Sequence, residues 1–102
     1  MNPYDPKVCE PNFWLSCMLI DDSCSVSPFA IIERLAKENI EARPIWKPMH
    51  MQPVFADRDF ISAEEIPVGE AIFEKGLCLP SDNKMTPEEQ DKIIEVIRSC
   101  FE

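Results

Sequence analysis

The chain has 102 residues, of which 45% are hydrophobic and 28% charged, a balance typical of a soluble globular protein and not of a disordered one. A chain of this length builds one modest core, so we expect a single domain. Nineteen acidic against ten basic residues give a net charge of -9. Such a surface repels nucleic-acid phosphates and anionic membranes, so neither is an expected partner unless the few basic residues cluster.

Cysteine usage favours a reduced protein without a metal site. The five cysteines are an odd number, and their surroundings are typical of strand or helix interiors. They form no C-x-x-C pair and the single histidine, His50, has no cysteine neighbour, whereas structural zinc takes four ligands at short paired spacings. No apolar run approaches the roughly 20 residues that span a bilayer. We therefore expect a cytoplasmic protein with no metal and no export or membrane signal.

The beginning of the chain predicts a linker followed by a strand. Residues 1–11 are polar and contain three prolines, which disfavour both helix and sheet. We interpret them as a lead-in to a domain at residues 12–102. Residues 13–20 form a short apolar run with an aromatic start, which favours a strand buried on both faces. A helix is the competing interpretation, and the shortness of the run counts against it.

A helix and an edge strand are predicted next. Ser27 as N-cap, with proline at the first helical position, predicts a helix from Pro28 to about Glu38. Asn39 can end this helix in a left-handed conformation. Residues 40–46 could continue as a strand, which Pro44 confines to an edge or an end. The predicted apolar face of the helix comprises Phe29, Ile32, Leu35 and Ala36.

The middle of the chain predicts a loop and a second helix. Residues 48–53 contain too many prolines for regular structure and too many large side chains for a spacer. Residues 56–62 are polar and mixed, which indicates a loop with one short helical turn at Phe60. Residues 66–75 permit a helix after Pro67, with Gly76 as its C-cap.

The end of the chain predicts a buried strand and a well-capped helix. The strand is residues 77–79, and Pro80 stops it. Thr86, Pro87 and Glu89 form a capping box with proline at the first helical position. The predicted buried face of this helix comprises Ile93, Ile94, Ile97 and Phe101. The order of elements predicts an α+β, two-layer sandwich with a small three-stranded sheet and about three helices.

Four sequence motifs occur in a fixed order. They are N-F-W-L at residues 12–15, R-P-x-W-x-P-x-H-x-Q-P at residues 43–53, G-x-x-L-P-S at residues 76–81 and T-x-E-E-Q at residues 86–90. Several ordered motifs are more specific than any one alone. Together they resemble the C-terminal small domain of the DegT/DnrJ/EryC1/StrS family of pyridoxal-phosphate-dependent sugar aminotransferases, over about nine-tenths of the chain.

The resemblance implies a domain that is part of an enzyme. Members of the family are fold-type I homodimers that transfer an amino group, usually from glutamate, to a nucleotide-linked keto sugar. The cofactor-binding lysine, the carboxylate on the pyridine nitrogen and most phosphate ligands belong to the large domain, whose motifs have no counterpart here. The resemblance therefore implies a fragment with no catalytic residue and no bound cofactor, which helps to close the active site and to support the dimer with its own large domain.

The resemblance also implies candidate substrate contacts on the proline-rich loop. His50 could hydrogen-bond a sugar hydroxyl or a pyrophosphate near neutral pH, or it could be satisfied by backbone groups of the loop. Trp46 could form a wall for the ligand or the dimer mate, or it could fill the core. Met49 and Met51 could cover apolar surface against the large domain.

Two basic residues of the same loop are further candidates. Arg43 and Lys47 lie four residues apart and could meet a diphosphate or a carboxylate, since the arginine fork suits bidentate contacts. On so acidic a chain each could instead pair with Glu41 or Asp57. Both possibilities remain open from the sequence.

Two other classes of function compete with the aminotransferase domain. One is a freestanding acidic binding or interaction domain that has lost catalysis. The other is a small thiol enzyme using Cys78 or Cys24, which would need an accessible cysteine of low pKa. Cys78, within an apolar strand, is a poor candidate for that role.

Overall fold

The structure, a computed structural model, describes residues 4–102. The first three residues of the predicted linker lie outside this range. Within it the elements are β1 (Ser16–Leu19), α1 (Pro28–Lys37), β2 (Arg43–Pro44), two 3₁₀ turns (Met49–Met51 and Pro53–Phe55), α2 (Val68–Lys75), β3 (Gly76–Leu79) and α3 (Pro87–Arg98). These three strands and three α-helices confirm the predicted α+β class. Among the described helices, none combines the length and the apolar character needed to cross a bilayer.

The sheet is antiparallel with β3 at its centre, in the order β1-β3-β2. Met18 of β1 pairs with Leu77 of β3, and both side chains point to the inner face, where α1 and α3 complete the core. Because side chains alternate along a strand, Cys17, Cys78 and Arg43 lie on the opposite, outer face. The prediction that Pro44 confines its strand to an edge is confirmed.

Burial on both faces of β1 was expected, and that prediction is wrong. Ile20, just after the strand, is buried and Met18 packs against the core. In contrast, Phe13, Trp14 and Leu19 are exposed. The reason is that β1 is an edge strand whose outer face is not covered by a described helix. The strand itself is confirmed, and it is shorter than the apolar run.

Helix α1 has the predicted bounds and a buried face that was predicted only in part. Ser27 Oγ accepts a hydrogen bond from the Ala30 amide at 3.2 Å, and Asn39 follows the helix at φ 59°, as predicted. The fully buried residues are Ile31 and Leu35, whereas Phe29 and Ala36 are exposed. The prediction is confirmed for Leu35 and for Ile32, which packs against the core. It is wrong for Phe29 and Ala36, because the sheet and α3 meet the line of Ile31 and Leu35.

Helix α3 begins with the predicted capping box. The Thr86 hydroxyl accepts from the Glu89 amide at 3.2 Å, and the Glu89 carboxylate accepts from the Thr86 amide at 2.8 Å. Val96 is the buried residue of this helix, and Ile93 and Ile97 pack beside it. Burial of Ile94 and Phe101 was predicted wrongly: both are exposed, because the contact with the sheet and α1 is centred on Val96.

The connection between β2 and α2 is more regular than expected at one end and less regular at the other. Residues 48–53, predicted to be irregular, contain one complete 3₁₀ turn and the start of a second. The helical turn predicted at Phe60 is absent, and residues 59–62 have no regular structure. Helix α2 ends at Lys75 as predicted, and Gly76 caps it in an extended conformation because it already begins β3.

Candidate functional site

An open groove of about 840 Å³ lies at one end of the sheet. It lies between the turn after α1, the β2 strand, the turn after β3 and the first part of α3. Its walls carry aromatic, basic and hydroxyl side chains, which are Trp14, Arg43, Trp46, Ser81, Lys84 and Lys92. Two of the four predicted substrate-binding residues, Arg43 and Trp46, are therefore brought together on one groove.

An aromatic pair forms one wall of the groove. The rings of Trp14 and Trp46 lie 5.8 Å apart at a 41° interplanar angle. Trp46 is 62% exposed, so the alternative that it fills the core is wrong. Trp14 belongs to the N-F-W-L motif and Trp46 to the proline-rich motif, so the fold joins two distant motifs in one surface. Such rings can stack on a planar ligand or pack against another protein surface.

Arg43 presents its guanidinium at the same wall. Its Nη2 and Nε atoms lie 2.6 Å and 2.7 Å from Glu41 Oε1, so one of the two carboxylate partners considered from the sequence is present. Both side chains are about three-quarters exposed. An exposed ion pair contributes little, about 0–1 kcal/mol, so Glu41 does not prevent the guanidinium from binding an anionic ligand.

The groove also contains polar residues that were not singled out from the sequence. Ser81 Oγ accepts from the Ser16 amide at 2.7 Å and donates to the Leu79 carbonyl at 3.0 Å, which fixes the turn after β3. The Nζ atom of Lys92 lies 3.7 Å from Oε2 of Glu38. The sequence signal for Ser81 was its place in the G-x-x-L-P-S motif. No sequence signal placed Lys84 or Lys92 at the groove, because their position depends on how α3 packs.

His50 lies away from the groove, in the first 3₁₀ turn. Its Nε2 atom is 2.6 Å from Glu70 Oε1 on α2, and its ring stacks on Phe60 with centroids 3.6 Å apart and planes 9° apart. The side chain is 19% exposed. Backbone groups were the expected alternative partners, whereas the partner observed is a carboxylate twenty residues away. Only Nδ1 remains for another hydrogen bond.

Lys47 is exposed and is not part of the groove wall. Its backbone carbonyl accepts a hydrogen bond from Gln52 Nε2 at 3.1 Å, which helps to shape the turn that carries His50. Among the described residues its ammonium group makes no ion pair, so neither Glu41 nor Asp57 holds it.

The described residues do not fit pyridoxal phosphate. The cofactor requires a lysine whose ammonium group is desolvated, and all six lysines of the chain lie outside the buried core. Lys75 pairs with Asp22 at 2.7 Å on the surface, and Lys92 borders an open groove. These residues therefore do not form a binding site for the cofactor.

The thiol chemistry considered from the sequence is also not supported at Cys78. All five cysteines are free thiols, and Cys78 is buried in the central strand. Burial raises the pKa of the Cys78 thiol to about 11, with a smaller contribution from the neighbouring Cys17. The catalytic nucleophile of a thiol enzyme is largely ionised near neutral pH and so needs the opposite shift. Cys24 is exposed on the turn after β1 and is not part of the groove.

Comparison with known proteins agrees with the motifs. Residues 3–98 match the model of the DegT/DnrJ/EryC1/StrS aminotransferase family. EpsN of Bacillus subtilis (strain 168), named as a pyridoxal phosphate-dependent aminotransferase, is 47% identical over 91 residues, which is 88% of this chain and 23% of EpsN. A GDP-perosamine synthase of Caulobacter vibrioides is 27% identical over 85 residues, covering 83% of this chain and 22% of the synthase.

A solved structure shares the fold. Spr1654 from Streptococcus pneumoniae, named as a sugar aminotransferase and solved in its PMP form, superimposes with a TM-score of 0.69 at 27% sequence identity. The match covers 84% of this chain and 21% of that one. The chain thus spans less than a quarter of the length of these relatives. Because the family model matches nearly the whole sequence, the chain belongs to the DegT/DnrJ/EryC1/StrS aminotransferase family.

Proposed function

We propose that this chain is the C-terminal domain of a pyridoxal-phosphate-dependent aminotransferase that acts on nucleotide-linked keto sugars. The observation that carries the proposal is the family match over residues 3–98 in a chain that spans less than a quarter of its relatives. The printed names of those relatives include a sugar aminotransferase and a GDP-perosamine synthase. The cofactor and the catalytic lysine belong to the rest of the enzyme, and glutamate is the proposed amino donor.

The domain's proposed role is to close one side of the active site and to support the homodimer. Six hydrophobic residues of the described range are buried, whereas seventeen large hydrophobic residues are exposed. We infer that some of these side chains form an apolar face that packs against another protein surface. The exposed side chains include Trp14, Leu19, Trp46, Met49, Val54 and Ile61. We assign this surface to contact with the large domain and the dimer mate.

The proposed substrate contacts follow from the groove and the loop. Arg43 offers a bidentate fork for a diphosphate, and Trp46 offers an aromatic face. Lys47 carries an exposed ammonium group on the same loop and supplies a second positive charge. His50 can add one hydrogen bond through Nδ1, since Glu70 occupies Nε2. These four residues bind and orient the sugar nucleotide in the proposal, and none of them performs the chemistry.

A chimeric enzyme tests the proposal. The matching 91-residue segment of EpsN is replaced by this chain, and the product is examined for dimer formation, cofactor absorbance and amino transfer from glutamate to a panel of nucleotide-linked keto sugars. We expect a dimer that binds the cofactor and is active on at least one sugar. A folded dimer with cofactor and no activity, beside active EpsN, would contradict the proposed role.

Variants of the chimera test the substrate contacts. Arg43→Gln and Trp46→Ala should each raise KM for the sugar nucleotide about tenfold, with a smaller effect on kcat. Glu95→Gln, on the exposed side of α3, is the matched control and should leave both constants unchanged. An unchanged KM in both groove variants would remove Arg43 and Trp46 from the binding site.

The size of the native polypeptide separates the proposal from its main rival. An antibody raised against the chain should detect a band several times larger than 11.7 kDa in source cells. A band at 11.7 kDa would instead favour the freestanding acidic binding domain, and the proposed role within an intact aminotransferase would fail.

A further inference from the structure

Two cysteines face each other across the sheet. Cys17 of β1 pairs with Cys78 of β3, and their sulfur atoms lie 3.6 Å apart on the outer face. Cys17 is exposed and Cys78 is buried. They are 61 residues apart in sequence, so the sequence alone gave no sign of the contact.

The position of the pair in the ladder suits a covalent link. The Ile20 amide donates to the Lys75 carbonyl at 2.8 Å, which makes these two residues a hydrogen-bonded pair. Such pairs alternate with non-hydrogen-bonded pairs along an antiparallel ladder, so Cys17 and Cys78, three positions on, form a non-hydrogen-bonded pair. The Cα atoms of such a pair are about 4.5 Å apart, inside the range of about 4.4–6.8 Å found for disulfides. Side-chain rotation alone can therefore bring the two sulfur atoms into bonding distance.

We propose that Cys17 and Cys78 are a redox-active thiol pair that reacts with low-molecular-weight disulfides, such as oxidised glutathione, to form a reversible disulfide across the sheet. The pair is independent of the proposed aminotransferase activity. Cys17 is exposed, and exposed disulfides are among the readily reduced ones. In a reducing compartment the two thiols are therefore at rest in the reduced state.

The exposure of the two thiols sets the order of the steps. The Cys17 thiolate attacks one sulfur of the small disulfide, which forms a mixed disulfide and releases one small thiolate. Cys78 then loses its proton and attacks the Cys17 sulfur, which releases the second small thiolate. The protein loses two hydrogen atoms and the small disulfide is reduced to two thiols. Burial raises the pKa of the Cys78 thiol, so little of it is thiolate near neutral pH, which favours Cys17 as the thiol that attacks first.

The link would join an edge strand to the central strand beside the groove. Cys78 borders the groove and pairs with Arg43 on its other side, so all three strands meet at this position. Oxidation would fix β1 onto β3 and restrict the backbone opposite Arg43. The expected result is a higher melting temperature of the oxidised chain, which reduction reverses.

Peptide mapping tests the proposal directly. The reduced 102-residue chain is incubated with oxidised and reduced glutathione at graded ratios, free thiols are alkylated, and cross-linked peptides are identified by mass spectrometry. We expect one dominant cross-link, between Cys17 and Cys78, that disappears as the proportion of reduced glutathione rises. The same reaction in concentrated urea should distribute cross-links among all five cysteines. The absence of the cross-link at every ratio, or equal yields for other cysteine pairs in the folded chain, would overturn the proposal.

Single variants test the order of the steps. Cys78→Ser should accumulate a glutathione adduct on Cys17, because the resolving thiol is gone. Cys17→Ser should leave Cys78 unmodified at times when the exposed Cys24 already reacts. Cys24→Ser is the matched control and should form the cross-link at the rate of the unchanged chain. Modification of Cys78 in the Cys17→Ser variant as fast as that of Cys24 would contradict the assignment of Cys17 as the attacking thiol.

Discussion

Nε2 of His50 lies 2.6 Å from Oε1 of Glu70 and so joins the proline-rich loop to helix α2. Phe60 closes the other side of the imidazole by stacking on its face. His50, Phe60 and Glu70 are each ten or more residues apart in the sequence. Between β2 and α2, the only regular elements that the structure describes are the two 3₁₀ turns. This contact therefore orders the loop that also carries Trp46 and Lys47, the proposed substrate contacts.

A double-mutant cycle on His50 and Glu70 should reveal a coupling of about 1 kcal/mol in the free energy of unfolding. Both side chains are less than one-third exposed, so their hydrogen bond is only partly screened by water. The measurement is urea unfolding of His50→Ala, Glu70→Ala and the double variant. Glu74→Ala, an exposed glutamate on the same helix, is the control and should show no coupling with His50→Ala. Strictly additive effects of the first pair would show that the contact does not stabilise the loop.

The two glycines should respond in opposite directions to alanine. A Cβ at Gly76 would lie 2.5 Å from the Ile72 carbonyl oxygen and 2.5 Å from Ile45 Cγ1, so Gly76→Ala should cost about 1–3 kcal/mol. A Cβ at Gly69 would meet only Pro48, at 3.6 Å. Because Gly69 lies within α2, Gly69→Ala should gain up to about 1 kcal/mol from helix propensity. The melting temperatures of the two variants are compared by thermal unfolding. Equal destabilisation would contradict the close approach at Gly76.

Local interactions were predictable from the sequence, whereas interactions between distant residues were not. The helix starts at Ser27 and Thr86 were predictable because a cap and its partners lie within three residues. The buried sides of α1 and α3 were predictable only in part, since several apolar residues compete for one interface and the sheet selects among them. Leu35 was predicted to be buried and is, whereas Ile94 was predicted to be buried and is exposed.

The candidate site was also predictable only in part from the sequence. Arg43 and Trp46 were found through their motif, and the fold places both on one groove. The partner of His50 was not predictable, because Glu70 is one of many acidic residues and reaches the imidazole only after α2 packs. Contacts of this kind depend on tertiary structure and leave no local pattern in the sequence.

Removal of the α3 cap should cost about 1 kcal/mol in the free energy of unfolding. Thr86→Ala loses the hydroxyl that accepts from Glu89 N, whereas Thr86→Ser keeps an acceptor and should cost almost nothing, since serine is at least as good an N-cap. Ser27→Ala removes the equivalent bond at α1 and should have a cost similar to that of Thr86→Ala. Urea unfolding followed by circular dichroism measures all three. A Thr86→Ser variant as unstable as Thr86→Ala would show that the capping bond is not the cause.

The buried thiol of Cys78 should make the fold less stable in alkali. Its pKa is raised from 9.0 to about 11 in the folded chain, chiefly by burial, so the folded state keeps a proton that the unfolded state releases. Stability from this group is therefore fully present below pH 9 and is lost as the pH rises towards 11. A tenfold change in proton affinity corresponds to about 1.4 kcal/mol. Ionisation of Cys78 should therefore lower the free energy of unfolding by on the order of 2 kcal/mol near pH 11.

This dependence is measured by urea unfolding between neutral pH and pH 11 under reducing conditions, so that all thiols stay free. The informative quantity is the difference in unfolding free energy from a Cys78→Ala variant, which lacks the thiol and keeps every other ionisable group. We expect the two stability curves to converge as the pH rises. Cys17→Ser should retain most of the decline, because the neighbouring thiol is a smaller cause of the raised pKa than burial is. Parallel curves for the unchanged chain and Cys78→Ala would show that the Cys78 thiol ionises equally in both states.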